Sequence, residues 1–184
     1  MEHKILIKGT IPVPDGVVVS LDKGIFTVKG PKGTVSRSLH APSVASKVED
    51  GKVVFSVRGK PTLRQKKLIG TFKAHVGNLF RGVTQGHTYR LKVCSGHFPM
   101  AVALKGKVFE VKNFIGEGVP RTLEIRDDVK VAVNGDEIVV ESISKEAAGQ
   151  VAGAIEQLCR RPGFDARIFQ DGIYIVEKDG KSVA

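Results

Sequence analysis

The sequence lacks several features that would assign it to a membrane or secreted class. No apolar run approaches the roughly 18 residues that a membrane-spanning helix needs, and the first residues, MEHKILIKGT, lack the apolar core of a signal peptide. Two cysteines, Cys94 and Cys159, are too few for a disulfide framework and fit a reducing compartment, although the sequence leaves a single bridge between them open. We therefore expect a cytoplasmic protein with no membrane partner.

Signatures of catalysis and of metal binding are also missing. No glycine-rich dinucleotide fingerprint occurs, and KGPKGT at Lys29–Thr34 leads into a strand rather than into the helix of a Walker loop. His87, His97 and the two cysteines lack paired spacing such as CxxC, which argues against a zinc site. Cys94 and His97 could form a thiol–imidazole pair, but the sequence shows no third residue that would orient the imidazole. We expect no enzyme, no cofactor, no metal and no small-molecule substrate; a small-ligand or catalytic module using Cys94 and His97 is the alternative.

Acidic residues are scarce in one part of the chain. The formal net charge is +10, which favours a polyanionic partner. Residues 1–82 contain 15 Lys and Arg but 5 Asp and Glu, whereas residues 83–184 contain 14 of each kind. A neutral second part could still bind nucleic acid through a local cluster, because salt screens charges beyond about 8 Å. The surfaces must therefore be judged face by face.

Alternation of apolar and polar residues predicts a first α+β domain at residues 1–82. A hairpin turns at Asp22–Gly24, a third strand follows near Thr34–Leu39, and a second hairpin turns at Asp50 and Gly51. Pro61 is predicted to open a helix that Gly82 closes. Its apolar face would pack on the sheet, and its other face carries Lys66, Lys67, Lys73 and Arg81. That basic face could contact RNA or a neighbouring protein, or it could be a solvated surface.

A second domain is predicted at residues 83–176, with a polar tail at 177–184. The stretch Thr88–Glu117 is interpreted as the joint between the domains, and it contains a strand followed by a hairpin across Lys105 and Gly106. Sliding the sequence by 112 positions sets Val17 on Val129, and strand, turn and strand then coincide. A helix capped by Ser144 and ending at RRPG, then a strand at Gly172–Val176, complete the domain.

A hairpin followed by a helix thus occurs twice. This repetition predicts two tandem similar α+β domains, each a small antiparallel sheet packed with one α-helix. The alternative is a chance match between two unrelated hairpins.

Five segments resemble one ribosomal protein family. They are KGPKGT at Lys29–Thr34, GVTQG at Gly82–Gly86, HFP at His97–Pro99, VKNFIGE at Val111–Glu117 and FQDGIYIVEK at Phe169–Lys178. Their order and spacing, over nearly the whole chain, resemble the large-subunit protein called L-six in bacteria and L-nine in eukaryotes. NFIGE and DGIY are more similar to the archaeal and eukaryotic branch than to the bacterial one.

The resemblance implies a structural role in translation. The expected partners are large-subunit rRNA, near the sarcin-ricin loop and the base of the factor-binding stalk, and neighbouring large-subunit ribosomal proteins. The resemblance also implies that the second domain makes most of the RNA contact, whereas the charge excess lies in the first. A free RNA-binding regulatory protein is the alternative.

Because the resemblance implies RNA contact through the second domain, the candidate RNA-binding residues are sought there. Lys and Arg can meet phosphates, and glycine allows close approach. Arg160, Arg161 and Arg167, which follow the second helix, are the first candidates. The others are Lys112, Asn113 and Arg121 around NFIGE, and Gly172, Tyr174 and Lys178 on or beside the last strand. Tyr174 and Phe114 could stack on a base or belong to the core. For each charged residue, a solvated surface position is the alternative.

Overall fold

A computed structural model describes residues 5–49, 51–58, 62–165 and 167–183. The chain separates into two compact units, Met1–Gly86 (unit 1) and His87–Ala184 (unit 2). Residues 83–86 carry no charge, so the whole net charge of +10 belongs to unit 1 and unit 2 is neutral. Within the described residues, neither helix combines the length and the apolar character needed to cross a membrane.

Unit 1 consists of strands followed by one helix. Its described elements are β1 (Ile5–Pro12), β2 (Val18–Asp22), β3 (Ile25–Gly30), β4 (Gly33–Ser38), β5 (Ala45–Glu49), β6 (Lys52–Arg58) and α1 (Leu63–Thr84). They form two antiparallel sheets, β2-β3-β4 and β1-β6-β5. Phe26 on β3, Phe55 on β6 and Phe72 on α1 bring both sheets and the helix into one core, with ring centroids 5.7 and 5.6 Å apart along the series.

Helix α1 extends beyond its predicted end. Thr62 caps its N-terminus through a reciprocal pair of hydrogen bonds with Gln65, whereas Pro61 lies outside the described residues. The prediction that Gly82 closes the helix is wrong, because α1 runs through Gly82 to Thr84, and the chain turns only at Gly86, where φ is +83°. Val83 in this last turn packs closely on Gly30, where a Cβ would lie 2.7 Å from a Val83 methyl carbon. The unit boundary therefore lies at 86 rather than at the predicted 82.

Unit 2 has the same kinds of element and two further strands. They are β7 (His87–Cys94), β8 (Ala101–Lys105), β9 (Val108–Lys112), a 3₁₀ turn (Phe114–Gly116), β10 (Arg121–Glu124), β11 (Val129–Asn134), β12 (Glu137–Ser142), α2 (Lys145–Leu158), β13 (Gly172–Lys178) and β14 (Lys181–Ser182). The sheets are β10-β9-β8 and β11-β12-β7-β13-β14. All their pairings are antiparallel.

Two expectations about unit 2 are corrected by this topology. The stretch Thr88–Glu117 is not a joint, because it supplies β7, the middle strand of the five-stranded sheet, and then β8 and β9. The predicted tail at 177–184 begins inside the sheet, since β13 runs to Lys178 and pairs there with β14. Backbone hydrogen bonding along β13 therefore continues past the point where the apolar alternation fades.

The predicted duplication of an α+β unit is confirmed, but the sequence alignment chose the wrong hairpin. The order β1-β6-β5 corresponds to β7-β12-β11, and β2-β3-β4 corresponds to β8-β9-β10. Phe26 and Val28 on β3 therefore match the equally buried Phe109 and Val111 on β9, not the β11–β12 hairpin. Alternation alone cannot tell one hairpin from another, because every half-buried hairpin shares a period of two. Each unit also divides its strands between two sheets rather than one.

Candidate nucleic-acid interface

A cleft of about 500 Å³ in unit 2 brings several predicted residues together. The end of α2, the segment after it and the start of β13 form its walls, which include Arg160, Arg161, Gly172 and Tyr174. The rings of Phe114, Phe164 and Phe169 also line it. Guanidinium groups can meet phosphates and aromatic rings can stack on bases, so this combination suits a nucleic acid.

The segment after α2 presents its arginines because the helix cannot continue through it. Pro162 has no backbone N–H, and Gly163 takes the left-handed conformation at φ +87°. Arg160 is exposed, and its side chain reaches Gln157 Oε1 at 3.5 Å. Arg161 is 35% exposed and lies over the Phe164 ring, 4.3 Å from its centroid. The segment is thus a loop with its cations at the surface.

Packing between aromatic rings restrains the loop that follows α2. Phe164 packs edge-on against Phe169 with centroids 4.9 Å apart, and Phe169 packs on His97 at 5.0 Å. Together with Arg161 over Phe164, these contacts make a row of four groups in contact, His97–Phe169–Phe164–Arg161, which we call the aromatic row. Ring packing restricts side-chain rotation, so Arg161 is held in place before any ligand arrives.

A buried carboxylate anchors the other end of the aromatic row. Asp171, 7% exposed, accepts hydrogen bonds from the backbone N–H groups of Gly96 and His97 at 2.6 and 2.9 Å. It also lies 2.5 Å from His97 Nδ1. Burial raises the pKa of Asp171, but the hydrogen bonds from His97 and Gly96 outweigh burial and hold the pKa below its usual range. The Asp171 carboxylate therefore fixes the segment before β8 against the start of β13.

Arg121 acts as a clamp, because it links Glu117 to the end of α2, where the loop begins. Its Nε and Nη2 atoms donate to the two carboxylate oxygens of Glu117 at 2.7 Å each, and Nη1 donates to the carbonyls of Leu158 and Arg160 at 2.6 and 3.1 Å. The guanidinium also lies 4.4 Å from the centroid of Phe114. The hydrogen bond from Arg121 lowers the pKa of Glu117 even though burial opposes it. The geometry therefore makes Arg121 a support for the end of α2, with its nitrogens already engaged.

Gly172 and Tyr174 form one small structure at the cleft wall. A Cβ on Gly172 would lie 3.3 Å from the Tyr174 ring, so the glycine leaves room for the ring to lie across the backbone. The Tyr174 hydroxyl donates to the carbonyl of Gln170 at 3.2 Å, and the residue remains 43% exposed. Burial, as the largest cause, raises the pKa of Tyr174, so its phenol stays neutral at physiological pH. The structure places this ring where it can stack, whereas Phe114 is 2% exposed and belongs to the core.

The remaining predicted residues lie outside the cleft wall. Arg167 is 90% exposed and forms a two-point pair with Asp165, at 2.8 and 3.1 Å. Lys112 is exposed at the end of β9, with Nζ 3.7 Å from Glu110, and Lys178 is exposed at the end of β13. Asn113 has a left-handed backbone, and its amide donates to the carbonyl of Pro99 at 2.9 Å, which gives it a structural task. The structure thus gathers four of the nine predicted residues at one opening.

Sequence reasoning missed the aromatic row and its anchor. Phe164 and Phe169 flank Arg167 in the segment GFDARIFQD, and phenylalanine interspersed with arginine in a loop is a recognisable feature of nucleic-acid contacts. The function of Asp171 could not be found in this way, because its partners Gly96 and His97 lie about 75 positions earlier in the chain.

The structure adds an orienting residue to the thiol–imidazole alternative but, within the described residues, not the hydrogen bond that the pair itself requires. The expectation that nothing orients His97 is wrong, because Asp171 does so. Within the described residues, however, no hydrogen bond joins Cys94 to His97, so the nucleophile has no base. Both cysteines are free, and burial raises the pKa of Cys159 to about 11, which keeps that thiol protonated.

Comparisons with known proteins agree with the two-unit architecture. The family model described as Ribosomal protein L6 matches twice, at residues 13–86 and 98–172. A protein of Methanosarcina mazei named large ribosomal subunit protein uL6 is 46% identical over 172 residues, covering 94% of this chain and 97% of its own. Proteins of the same name from Methanothrix thermoacetophila and Natronomonas pharaonis are 44% and 42% identical, over 91% of this chain and 95% and 94% of theirs. The double match and the near full-length relatives show that the chain belongs to the ribosomal protein L6 family.

Proposed function

We propose that this protein is a structural constituent of the large ribosomal subunit that binds large-subunit rRNA through the cleft face of unit 2. The expected place is near the sarcin-ricin loop and the base of the factor-binding stalk, in the cytoplasm, beside other large-subunit proteins. The three relatives are named as proteins of the large ribosomal subunit, which supports the assembly. Membership of this ribosomal family confirms the separate prediction that the chain is not an enzyme.

The observation that carries the proposal is the aromatic row with Arg161 at its outer end. A cation already stacked on Phe164 loses little conformational freedom when a phosphate approaches, so more of the interaction energy is available for binding. Arg160, the preceding residue, supplies a second cation. Tyr174, half exposed on the same cleft, offers a ring face to a base or ribose. The proposed contact is therefore two phosphates and one stacked group.

The carboxylates of the cleft do not oppose this contact directly. Asp171 is buried and accepts three hydrogen bonds from Gly96 and His97. Glu156 accepts the backbone N–H of Ile175 at 3.1 Å. Both groups therefore help to hold the cleft together, and the cations at its mouth are Arg160 and Arg161, of which Arg161 also lies 3.9 Å from Glu117. We expect binding dominated by phosphate neutralisation, and hence affinity that falls steeply with salt.

The test is binding of large-subunit rRNA to the full chain at a series of salt concentrations. In Arg160→Gln/Arg161→Gln, the magnitude of the slope of log K against log salt should fall by about 1.4 to 1.8, at 0.7 to 0.9 per phosphate. Arg126→Gln is the matched control, because Arg126 is exposed on unit 2 and forms a two-point pair with Asp128, outside the cleft. A double variant with the wild-type slope, or a control that loses as much per arginine, would contradict the proposal.

A free RNA-binding regulator is the second candidate, and subunit fractionation distinguishes the two. A structural constituent co-sediments with large subunits and leaves them only at high salt. A regulator would sediment apart from them even in low salt, while still binding rRNA in solution.

A further inference from the structure

Helix α1 of unit 1 carries cations along its whole length and no carboxylate. Its 22 residues contain Arg64, Lys66, Lys67, Lys73 and Arg81, all exposed, and neither Asp nor Glu. Surface helices usually intersperse both signs, because i,i+4 pairs stabilise the helix and a mixed surface avoids strong local fields. An outer face of one sign is therefore a specific feature of this helix.

The first turn of α1 has the opposite charge from the one that stabilises a helix. Arg64 and Lys66 lie beside the N-terminus, where the helix dipole is positive and favours Asp or Glu. Thr62 and Gln65 satisfy backbone N–H groups there without adding negative charge. The positive end of the helix dipole repels these two cations. An external anion bound here would interact favourably with the dipole and with both cations.

Three lysines on this face have no internal partner among the residues that the structure describes. Within the described residues, no ion pair or hydrogen bond engages the amino groups of Lys66, Lys67 or Lys73. They differ in this respect from Lys105, Lys107 and Lys145 of unit 2, each of which contacts a carboxylate. Unit 1 as a whole carries the net charge of +10, so its own carboxylates are too few to neutralise it.

We propose that the basic face of α1, defined by Lys66, Lys67, Lys73 and Arg81, is a second RNA-binding surface that contacts the phosphate backbone of an rRNA helix. From Lys66 to Arg81 the face spans about 22 Å at 1.5 Å per residue, which suits successive phosphates rather than one small anion. A polynucleotide fits better than an acidic protein, because lysine is depleted at protein–protein interfaces while its ammonium group serves as a point charge for phosphate. The contact carries no base reading, since lysines on phosphates fix position and not sequence.

This inference rests on the proposed ribosomal function for the identity of the RNA, and it extends that function to unit 1. It also gives a reason for the distribution of charge. Unit 2 would hold its RNA through a few positioned groups, whereas unit 1 would add affinity through unpaired lysines.

The test uses the full chain and large-subunit rRNA, with the variant Lys66→Gln/Lys67→Gln/Lys73→Gln. Glutamine matches lysine in helix propensity, so far-UV circular dichroism should show an unchanged helix content. The magnitude of the salt slope should fall by about 2 to 3, which corresponds to an affinity loss of about 100- to 1000-fold at 0.1 M salt relative to 1 M salt. Lys23→Gln/Lys47→Gln/Lys52→Gln is the matched control, because it removes the same charge from exposed strand and turn positions of the same unit.

Each outcome has a defined meaning. A large loss in the α1 variant with a small loss in the control supports the second surface. Equal losses in both variants overturn it, because net charge alone would then explain the effect. An unchanged slope also overturns it, and a cross-link from α1 to a ribosomal protein in assembled subunits would identify that protein as the occupant. If the wild-type chain does not bind rRNA, the proposed function itself fails; if it binds and responds only to Arg160→Gln/Arg161→Gln, only this inference fails.

Discussion

Helices α1 and α2 occupy the same place in the two repeats, each after six described strands, yet the charges of their first turns differ. Arg64 and Lys66 begin α1 with no carboxylate, whereas in the first turn of α2 Lys145 is followed by Glu146, which complements the helix dipole. Their buried faces are alike in kind, with Val76 and Leu79 on α1 and Ile155 on α2 inside the cores. The interiors of the two repeats are therefore alike in kind, whereas unit 1 is basic and unit 2 is neutral.

The cations of the two units also differ in their surroundings. In unit 2, Arg121, Arg161 and Arg167 each lie beside a carboxylate of the same unit. In unit 1, Lys66 and Lys73 stand on α1 without one, within the described residues. A cation paired with a neighbouring carboxylate has a fixed orientation, which suits the positioning of a bound group. An unpaired cation keeps its full charge toward solvent, which suits long-range attraction of an anion.

The largest expected effect comes from the core residue that the repeats share. Phe26→Ala and Phe109→Ala should each lower the free energy of unfolding of their own unit by about 3 to 5 kcal/mol, because both rings are fully buried at matching positions of β3 and β9. Guanidinium denaturation, with hydrogen exchange to locate the loss, measures this. A loss below about 1 kcal/mol in either variant would mean that the two rings are not equivalent.

An intermediate effect on stability is expected at the Arg121 side chain of unit 2. Arg121→Ala should lower the free energy of unfolding by about 2 kcal/mol, since it removes charged hydrogen bonds to Glu117 and to the end of α2. Arg90→Ala is the control, because Arg90 is half exposed and pairs with Glu137 and Glu177 at 3.4 and 3.5 Å, an arrangement worth at most about 1 kcal/mol. Equal losses in urea denaturation would show that Arg121 is no clamp.

The same clamp predicts a pH dependence. The pKa of Glu117 is lowered in the folded protein, chiefly by the hydrogen bond from Arg121, so the folded state binds that proton less readily than the unfolded chain. The stabilisation is therefore fully present above the ordinary glutamate pKa of about 4.3 and is lost as the pH falls through the lowered value. The stability difference between wild type and Arg121→Ala should shrink over that acid range. A difference independent of pH down to strong acid would exclude Glu117 as the partner.

The smallest expected effects have opposite signs in the two helices. Lys66→Gln should raise the free energy of unfolding by about 0.3 to 1 kcal/mol, because it removes a cation from the positive end of α1. Glu146→Gln should lower it by a similar amount at the start of α2. Thermal unfolding at low ionic strength measures both, and changes of the same sign would mean that helix electrostatics does not separate the repeats.

Much of this architecture could be predicted from local patterns. The β8–β9 turn was predicted within one position, since it lies at Gly106 and Lys107, and the Ser144 cap was predicted correctly, because each depends on residues within a few positions of one another. The correct offset of the repeat was also available, since the segments IFTVK and VFEVK place Phe26 on Phe109 and Lys29 on Lys112. It was missed because alternation matches any hairpin with any other.

The candidate interface was predictable only in outline. Composition and position pointed to Arg160 and Arg161, and the structure brings both to one cleft. Glu117 lies only four positions from Arg121, but no local pattern could tell that Arg121 also binds two carbonyls near the end of α2, because these lie 37 and 39 positions away. Whether a charged residue is available depends on such distant neighbours.

The position of strand β13 explains where the cleft of unit 2 forms. In unit 1, within the described residues, β1 lies at the edge of its sheet, whereas the matching β7 has β13 along its other side. To reach that position after α2, the backbone must cross from the end of the helix to the sheet margin, and the crossing is the stretch that holds Arg160, Phe164 and Asp171. Unit 1, as far as the structure describes it, has no segment of this kind, because α1 is its last element. The cleft residues that follow α2 therefore lie in a part of unit 2 for which unit 1 offers no counterpart.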